Sequence, residues 1–96
     1  MSIHDPTGQA ARLIALRGHV ALIDRVLTDR ARYSSNMAAR QHMRTLMEAG
    51  LARLVHEYPG ERMRMLGVQG GTASEPARTL LSWRDAAMDH LADARP

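Results

Sequence analysis

Histidines and acidic side chains are the residue types that suit acid–base chemistry or metal binding, and the sequence has five histidines, six aspartates and four glutamates. Asp85, Asp89 and Asp93 follow at steps of four, so on a helix they would line one face. Paired carboxylates catalyse proton transfer only in a cleft that shifts their pKa values, and a helix end is a poor place for one. No two histidines have the i, i+4 spacing of a helical metal site. We therefore expect no catalytic residue, metal or cofactor, and we interpret the three aspartates as a candidate face for a basic partner.

Arginine supplies all thirteen basic side chains, so a Schiff-base lysine and a P-loop lysine are excluded. The arginines are unevenly distributed. Residues 30–47 contain four of them and no acid, whereas the chain from residue 68 onward is slightly acidic. Because guanidinium groups bind phosphates and carboxylates in a bidentate manner, the basic middle predicts contact with nucleic acid or an acidic protein surface. The candidate macromolecule-binding residues are Arg30, Arg32, Arg40, Arg44, Arg62 and Arg64.

The elements that position these residues must fit into 96 residues, which is typical of a single small domain. There is no cysteine, which excludes disulfides and thiolate metal sites. The chain has no stretch of about 18 apolar residues and no signal-peptide pattern at its start, so we expect a cytoplasmic protein without a membrane segment.

Apolar periodicity predicts helices along nearly the whole chain. A first helix over 6–33 begins with Asp5 and Pro6 and carries apolar residues at steps of three and four. After the polar turn 34–36, a second helix over 36–58 has a stripe that continues through Gly50 and ends before Pro59.

The C-terminal half is predicted to contain a short helical turn over 61–66, a flexible glycine-rich linker over 67–71, and a helix over 74–93. The last helix has a capping box formed by Thr72 and Glu75, with Pro76 in its first turn. The predicted fold class is all-α: a three-helix bundle in one domain, in which a long helical hairpin packs with the C-terminal helix. Because the apolar stripes are wide, we also predict a homodimer.

A helix-turn-helix would need two short helices and a tight turn. The only candidate turn is Pro59-Gly60, which would place Arg62 and Arg64 in a short recognition helix.

The first helix carries the pattern Leu13-Ile14-Ala15-Leu16-Arg17-x-x-Val20-x-x-Ile23-Asp24-x-x-Leu27. This pattern resembles the opening helix of the all-helical chorismate mutases, which are small dimeric proteins. The resemblance implies that Arg17 would bind a substrate carboxylate across the dimer. The lysine that follows in that family is absent here, and the last helix has no glutamine.

Residues 23–59 have the order helix, polar turn with Tyr33 and Asn36, and long helix ending at Tyr58-Pro59. In this order they are similar to small helical nucleoid-associated regulators of the haemolysin-modulating type.

Taken together, these features favour a small non-enzymatic regulator, adaptor or inhibitor that acts by binding another protein. One alternative is a nucleic-acid-binding regulator that uses the basic Arg30–Arg44 surface, and another is a chorismate-mutase-like enzyme that uses Arg17. In the first two cases we expect no small-molecule substrate.

Overall fold

The computed structural model describes residues 6–28 and 35–94, and its fold is α+β. These residues form an antiparallel sheet with β2 in the centre, together with helices in the order α1-α2-β1-β2-β3-α3. The bounds are α1 Pro6–Thr28, α2 Ser35–Glu48, β1 Ala52–Glu57, β2 Gly60–Met65, β3 Val68–Gln69 and α3 Pro76–Asp93. The predicted all-α three-helix bundle is therefore wrong, because the chain between α2 and α3 forms a three-stranded sheet. The end of the predicted first helix, 29–33, lies outside the described residues.

Helix α2 ends at Glu48 rather than at residue 58, because Gly50 terminates it. The backbone N–H of Gly50 donates to the Met47 carbonyl at 3.0 Å, and that of Leu51 donates to the Leu46 carbonyl at 2.9 Å. With a φ of 75° at Gly50, this is a Schellman motif. Only glycine adopts such a φ without a steric cost, so the residue type itself ends the helix.

Strands β1 and β2 replace the end of the predicted second helix and the predicted helical turn over 61–66. Leu54 lies opposite Met63, and Ala52 lies opposite Met65, so these four side chains share the inner face of the hairpin. Met63 and Met65 are buried, whereas Arg64 between them is exposed. This two-residue alternation lets a strand bury its methionines, whereas a helix would have spread them around its circumference.

The glycine-rich segment 67–71, expected to be a flexible linker, is built into the sheet. Leu66 and Gly67 have φ values of 54° and 75°, as in the two-residue turns that join antiparallel strands. Val68 then pairs with Met65. A Cβ at Gly70 would lie 2.8 Å from the backbone nitrogen of Trp83, so this glycine permits close packing of the sheet on α3.

Helix α3 begins at Pro76, and the predicted capping box does not form. Glu75 occupies the N-cap position, but its side chain makes no capping hydrogen bond. The Oδ1 atom of Asn36 in α2 instead accepts a hydrogen bond from the Ala77 backbone N–H at 3.0 Å. This bond satisfies a donor that the first turn of a helix leaves open, and it holds the start of α2 against the start of α3.

One core joins all three helices to the sheet. Trp83 is fully buried at its centre, and its Nε1 donates to the carbonyls of Val68 at 3.1 Å and Met65 at 3.3 Å. Because the sequence has no phenylalanine, unbranched methionines fill much of the remaining volume. The other buried apolar residues are Leu16, Ile23, Ala39, Met43, Leu46, Met63, Met65, Val68, Leu80 and Ala87.

The two family resemblances do not extend to the fold. The chorismate mutases implied an all-helical architecture, and the sheet contradicts it. Tyr58 and Pro59, which the second resemblance placed at the end of a long helix, lie at the tip of the β1–β2 hairpin, joined by a cis peptide bond. Arg17 is exposed on α1.

Candidate nucleic-acid interface

The arginines in the described part of the chain fall into two groups. Four of them bond to groups in the fold or to neighbouring carboxylates: Arg12, Arg62, Arg78 and Arg84. Six others are exposed, and their side chains make no ion pair or hydrogen bond with another described residue: Arg17, Arg25, Arg40, Arg44, Arg53 and Arg64. The second group holds positive charge that the fold itself does not use.

Arg12 and Arg84 illustrate the first group. The Nε of Arg12 donates to the Leu66 carbonyl at 3.0 Å, and its Nη1 lies 2.9 Å from Nε2 of His90, so one side chain joins α1, the β2–β3 turn and α3. The Nε of Arg84 lies 2.6 Å from Oδ1 of Asp24 and connects α3 to α1. These arginines stabilise the packing of the helices.

Arg40, Gln41 and Arg44 project from the outer face of α2. All three are exposed, whereas the opposite face of the helix buries Ala39, Met43 and Leu46. One turn separates Arg40 from Arg44, which places their Cβ atoms about 5–6 Å apart. We call Arg40, Gln41 and Arg44 the outer face of α2. The exposed Glu48 follows one turn after Arg44 on the same side of the helix.

Arg30 and Arg32, the other members of the predicted basic segment, lie outside the described residues. Glu48 is exposed one turn beyond Arg44 and marks the acidic end of α2. The basic part of this helix is therefore its N-terminal two-thirds.

A groove of about 490 Å³ separates α2 from the hairpin and from the start of α3. Arg40, Arg44 and Glu48 of α2 line one side of it, and Glu61 and Glu75 line the other. Because these carboxylates would repel an anion, the groove interior is a poorer phosphate site than the outer face of α2.

The predicted recognition helix after Pro59-Gly60 does not exist, since Arg62 and Arg64 lie in β2. Arg62 forms an ion pair with Glu57 on the neighbouring strand. Arg64 lies directly opposite Arg53 of β1, and both are exposed. Sequence reasoning missed Arg53, because its meeting with Arg64 depends on the register of a hairpin that had been interpreted as helix.

Asp85, Asp89 and Asp93 lie on the exposed side of α3, as their spacing of four predicts. Asp85 Oδ1 is 3.1 Å from Nη1 of Arg84, so part of its charge is neutralised. Asp89 and Asp93 make no ion pair with a described residue. This acidic face would repel nucleic acid.

His19 of α1 and His42 of α2 are partly buried. Burial lowers the pKa of His19, and burial together with the nearby His19 lowers the pKa of His42. The Nδ1 atom of His19 and the Nε2 atom of His42 are inaccessible to solvent and have no hydrogen-bond partner among the described residues. Both rings are therefore neutral near pH 7, and they add no positive charge to the partly buried side of α2.

Among residues 6–28 and 35–94, no cluster of three or more His, Cys, Asp or Glu side chains could hold a metal ion. In the same residues no helix combines the length and apolar character needed to cross a bilayer. Comparison with protein-family models, curated protein sequences and solved structures found no significant match to this chain.

Proposed function

We propose that this protein binds duplex DNA and that α2 is the helix that enters the major groove. The observation that carries the proposal is the outer face of α2, where Arg40 and Arg44 flank Gln41 without any ionic partner in the described structure. Arginine and glutamine are the residue types that form paired hydrogen bonds with guanine and adenine edges.

The dimensions of α2 fit this role. Its 14 residues span about 21 Å, and a helix with its side chains is about 10–12 Å across, close to the width of the major groove. Its inner face is packed on the core, and Asn36 ties its first turn to α3. A rigid support of this kind lets the outer face keep its geometry when it meets a ligand.

The other helical faces favour DNA contact less. The outer side of α3 is acidic, and that of α1 mixes the exposed apolar residues Ile14 and Leu22 with Arg17 and Arg25. Double-stranded RNA is a poorer ligand, because its major groove is too deep and narrow for a helix. We also propose a cytoplasmic location, because a chain without cysteine fits a reducing compartment.

Fluorescence anisotropy with a labelled random-sequence duplex, at salt concentrations from 50 to 200 mM, tests the proposal. We expect binding that weakens with salt, with a log–log slope of about −2 or steeper, since each neutralised phosphate contributes about −0.9. Absence of binding at the lowest salt concentration, or an affinity that does not change with salt, would contradict it.

A second candidate function, self-association, is favoured by the outer side of α1. Ile14 is 66% exposed and Leu22 is 43% exposed, and Gly18 midway between them has open space above it. Because the two large residues are equidistant from Gly18, an antiparallel copy would place each Ile14 against the other chain's Leu22. Such a match satisfies the self-complementarity that a two-fold interface requires.

Sedimentation equilibrium tests this candidate. We expect twice the chain mass of 10.6 kDa for the native protein and a monomer for I14Q/L22Q. The matched control is L81Q/M88Q, which alters two similarly exposed apolar residues on α3 and should remain dimeric. A native protein that sediments as a monomer at 100 µM would contradict this candidate function.

A further inference from the structure

The outer face of the sheet brings together three polar side chains that the sequence separates. Arg64 of β2 lies opposite Arg53 of β1 on one side and opposite Gln69 of β3 on the other. Directly paired residues of antiparallel strands share a face, with Cβ atoms about 4.5–5.5 Å apart. All three side chains are exposed.

The cross-strand arginine pair lacks a counter-charge within the described structure. The one carboxylate on the same face of the hairpin, Glu57, is engaged by Arg62. Like charges directly opposite each other are unfavourable in a sheet. The buried methionines on either side of Arg64 prevent the strand from turning its arginine inward. An anion between Arg53 and Arg64 would relieve the repulsion.

The three side chains border a hollow of about 570 Å³ at the base of the hairpin, where the backbones of Gly50 and Gly67 also line it. Met47 borders both this hollow and the groove beside Arg40 and Arg44, so the two basic regions adjoin across the corner from α2 to β1. A ligand large enough to span that corner would contact both.

We propose that Arg53, Arg64 and Gln69 form a phosphate clamp. Two guanidinium groups can each donate two parallel hydrogen bonds to phosphate oxygens, and the Gln69 amide can donate a third contact. This inference rests on the proposed function for the source of the phosphate, which is a phosphodiester of the same duplex that α2 contacts. The clamp positions the backbone and carries no base specificity.

The experiment compares R53Q/R64Q with R17Q/R25Q, which removes the same number of charges from exposed arginines of α1. Duplex affinity of each variant is measured as a function of salt. We expect R53Q/R64Q to bind about tenfold or more weakly than the native protein, with a salt slope smaller by about 1, the value for one lost phosphate contact. R17Q/R25Q should keep its slope. Equal losses in the two variants would overturn the clamp, because they would reflect net charge alone.

Two further measurements distinguish a failure of the clamp from a folding defect and from a failure of the proposed function. Because the substitutions remove a like-charge pair, the melting temperature of R53Q/R64Q should equal or exceed that of the native protein. A lower one would show that the arginines support the fold and would count against the clamp.

If the native protein binds no duplex, the proposed function fails, and inorganic phosphate becomes the probe. Amide chemical shifts of Arg64 and Gln69 that move with phosphate but not with chloride at equal ionic strength, and only in the native protein, would support a clamp for free phosphate. No movement would overturn the clamp as well.

Discussion

The α1–α3 contact and the α2–sheet surface use arginine in opposite ways. Between α1 and α3, Arg12 and Arg84 are bonded to a carbonyl, a histidine and carboxylates, and they connect elements that are distant in sequence. On α2 and on the outer face of the sheet, Arg40 and Arg53 are exposed and bond to no other described residue. The difference teaches that net charge alone does not separate arginines that stabilise the fold from arginines whose charge the described structure leaves unused.

The double substitution R40A/R44A should have the largest effect on function. Each arginine that contacts a base or a phosphate is expected to contribute a factor of about ten, so duplex affinity should fall roughly hundredfold. Anisotropy at fixed salt measures this, and R17A/R25A is the charge-matched control. Because both arginines are exposed, the melting temperature should not change. An affinity loss equal to that of the control would remove the distinction between the two groups of arginines.

Arg12→Ala should show the converse behaviour. It removes the bonds from α1 to the Leu66 carbonyl and to His90, so we expect the free energy of unfolding to fall by about 1–2 kcal/mol. Urea denaturation measures the change, with Arg17→Ala as the exposed control on the same helix, expected to change stability by less than about 0.5 kcal/mol. Duplex binding well below the unfolding transition should be unchanged. If Arg12→Ala weakened binding as strongly as R40A/R44A, the division would be wrong.

The free energy of unfolding should depend on pH, because His19 of α1 and His42 of α2 are partly buried. His19 and His42 have lowered pKa values in the folded protein, so below about pH 6.5 the unfolded chain binds protons that the folded chain resists. Stability should therefore be constant above about pH 7 and should decrease as the pH falls from 7 toward the lowered pKa values. Urea denaturation at several pH values between 7.5 and 5.5 tests this, and H19Q/H42Q should show a flatter profile. An identical profile would mean that other groups cause the pH dependence.

Local patterns were enough to predict the outer helices and the start of α2, but not the end of α2 or the strands that follow it. The starts of α1 and α3 coincide with Pro6 and Pro76, and their apolar spacing is helical. Two local signals for the middle were present but misinterpreted. Gly50 followed by Leu51 is a helix stop, and Arg62 to Met65 alternates with the period of a strand. The apolar residues before and after Gly50 also fit a spacing of three and four, which predicts one long helix where α2 ends and β1 begins.

Other features depend on contacts that no local pattern contains. The Ala77 backbone N–H in the first turn of α3 donates a hydrogen bond to Asn36, which lies 41 residues earlier in the chain. Likewise, Arg53 meets Arg64 only through the register of the hairpin. The candidate site was therefore predicted in part: Arg40, Arg44 and Arg64 were identified as basic residues of interest, whereas their division by structural use was not.

The smallest effect should come from Glu48→Gln. Glu48 is exposed one turn beyond Arg44, so in the proposed complex its carboxylate would repel the DNA backbone without touching a base. Removing an exposed charge of this kind changes an interaction by up to about 1 kcal/mol, so duplex affinity should rise roughly two- to fivefold.

Anisotropy at low salt is the most sensitive measurement for Glu48→Gln, because salt screens charges at the surface. Asp93→Asn is the matched control, since it neutralises an exposed acid on α3, on the side that should face away from DNA. A gain confined to Glu48→Gln would place the duplex along α2. An equal gain in both variants would show that DNA responds to the net charge of the protein, and the contrast between its two arginine-bearing regions would then carry no information about where the ligand lies.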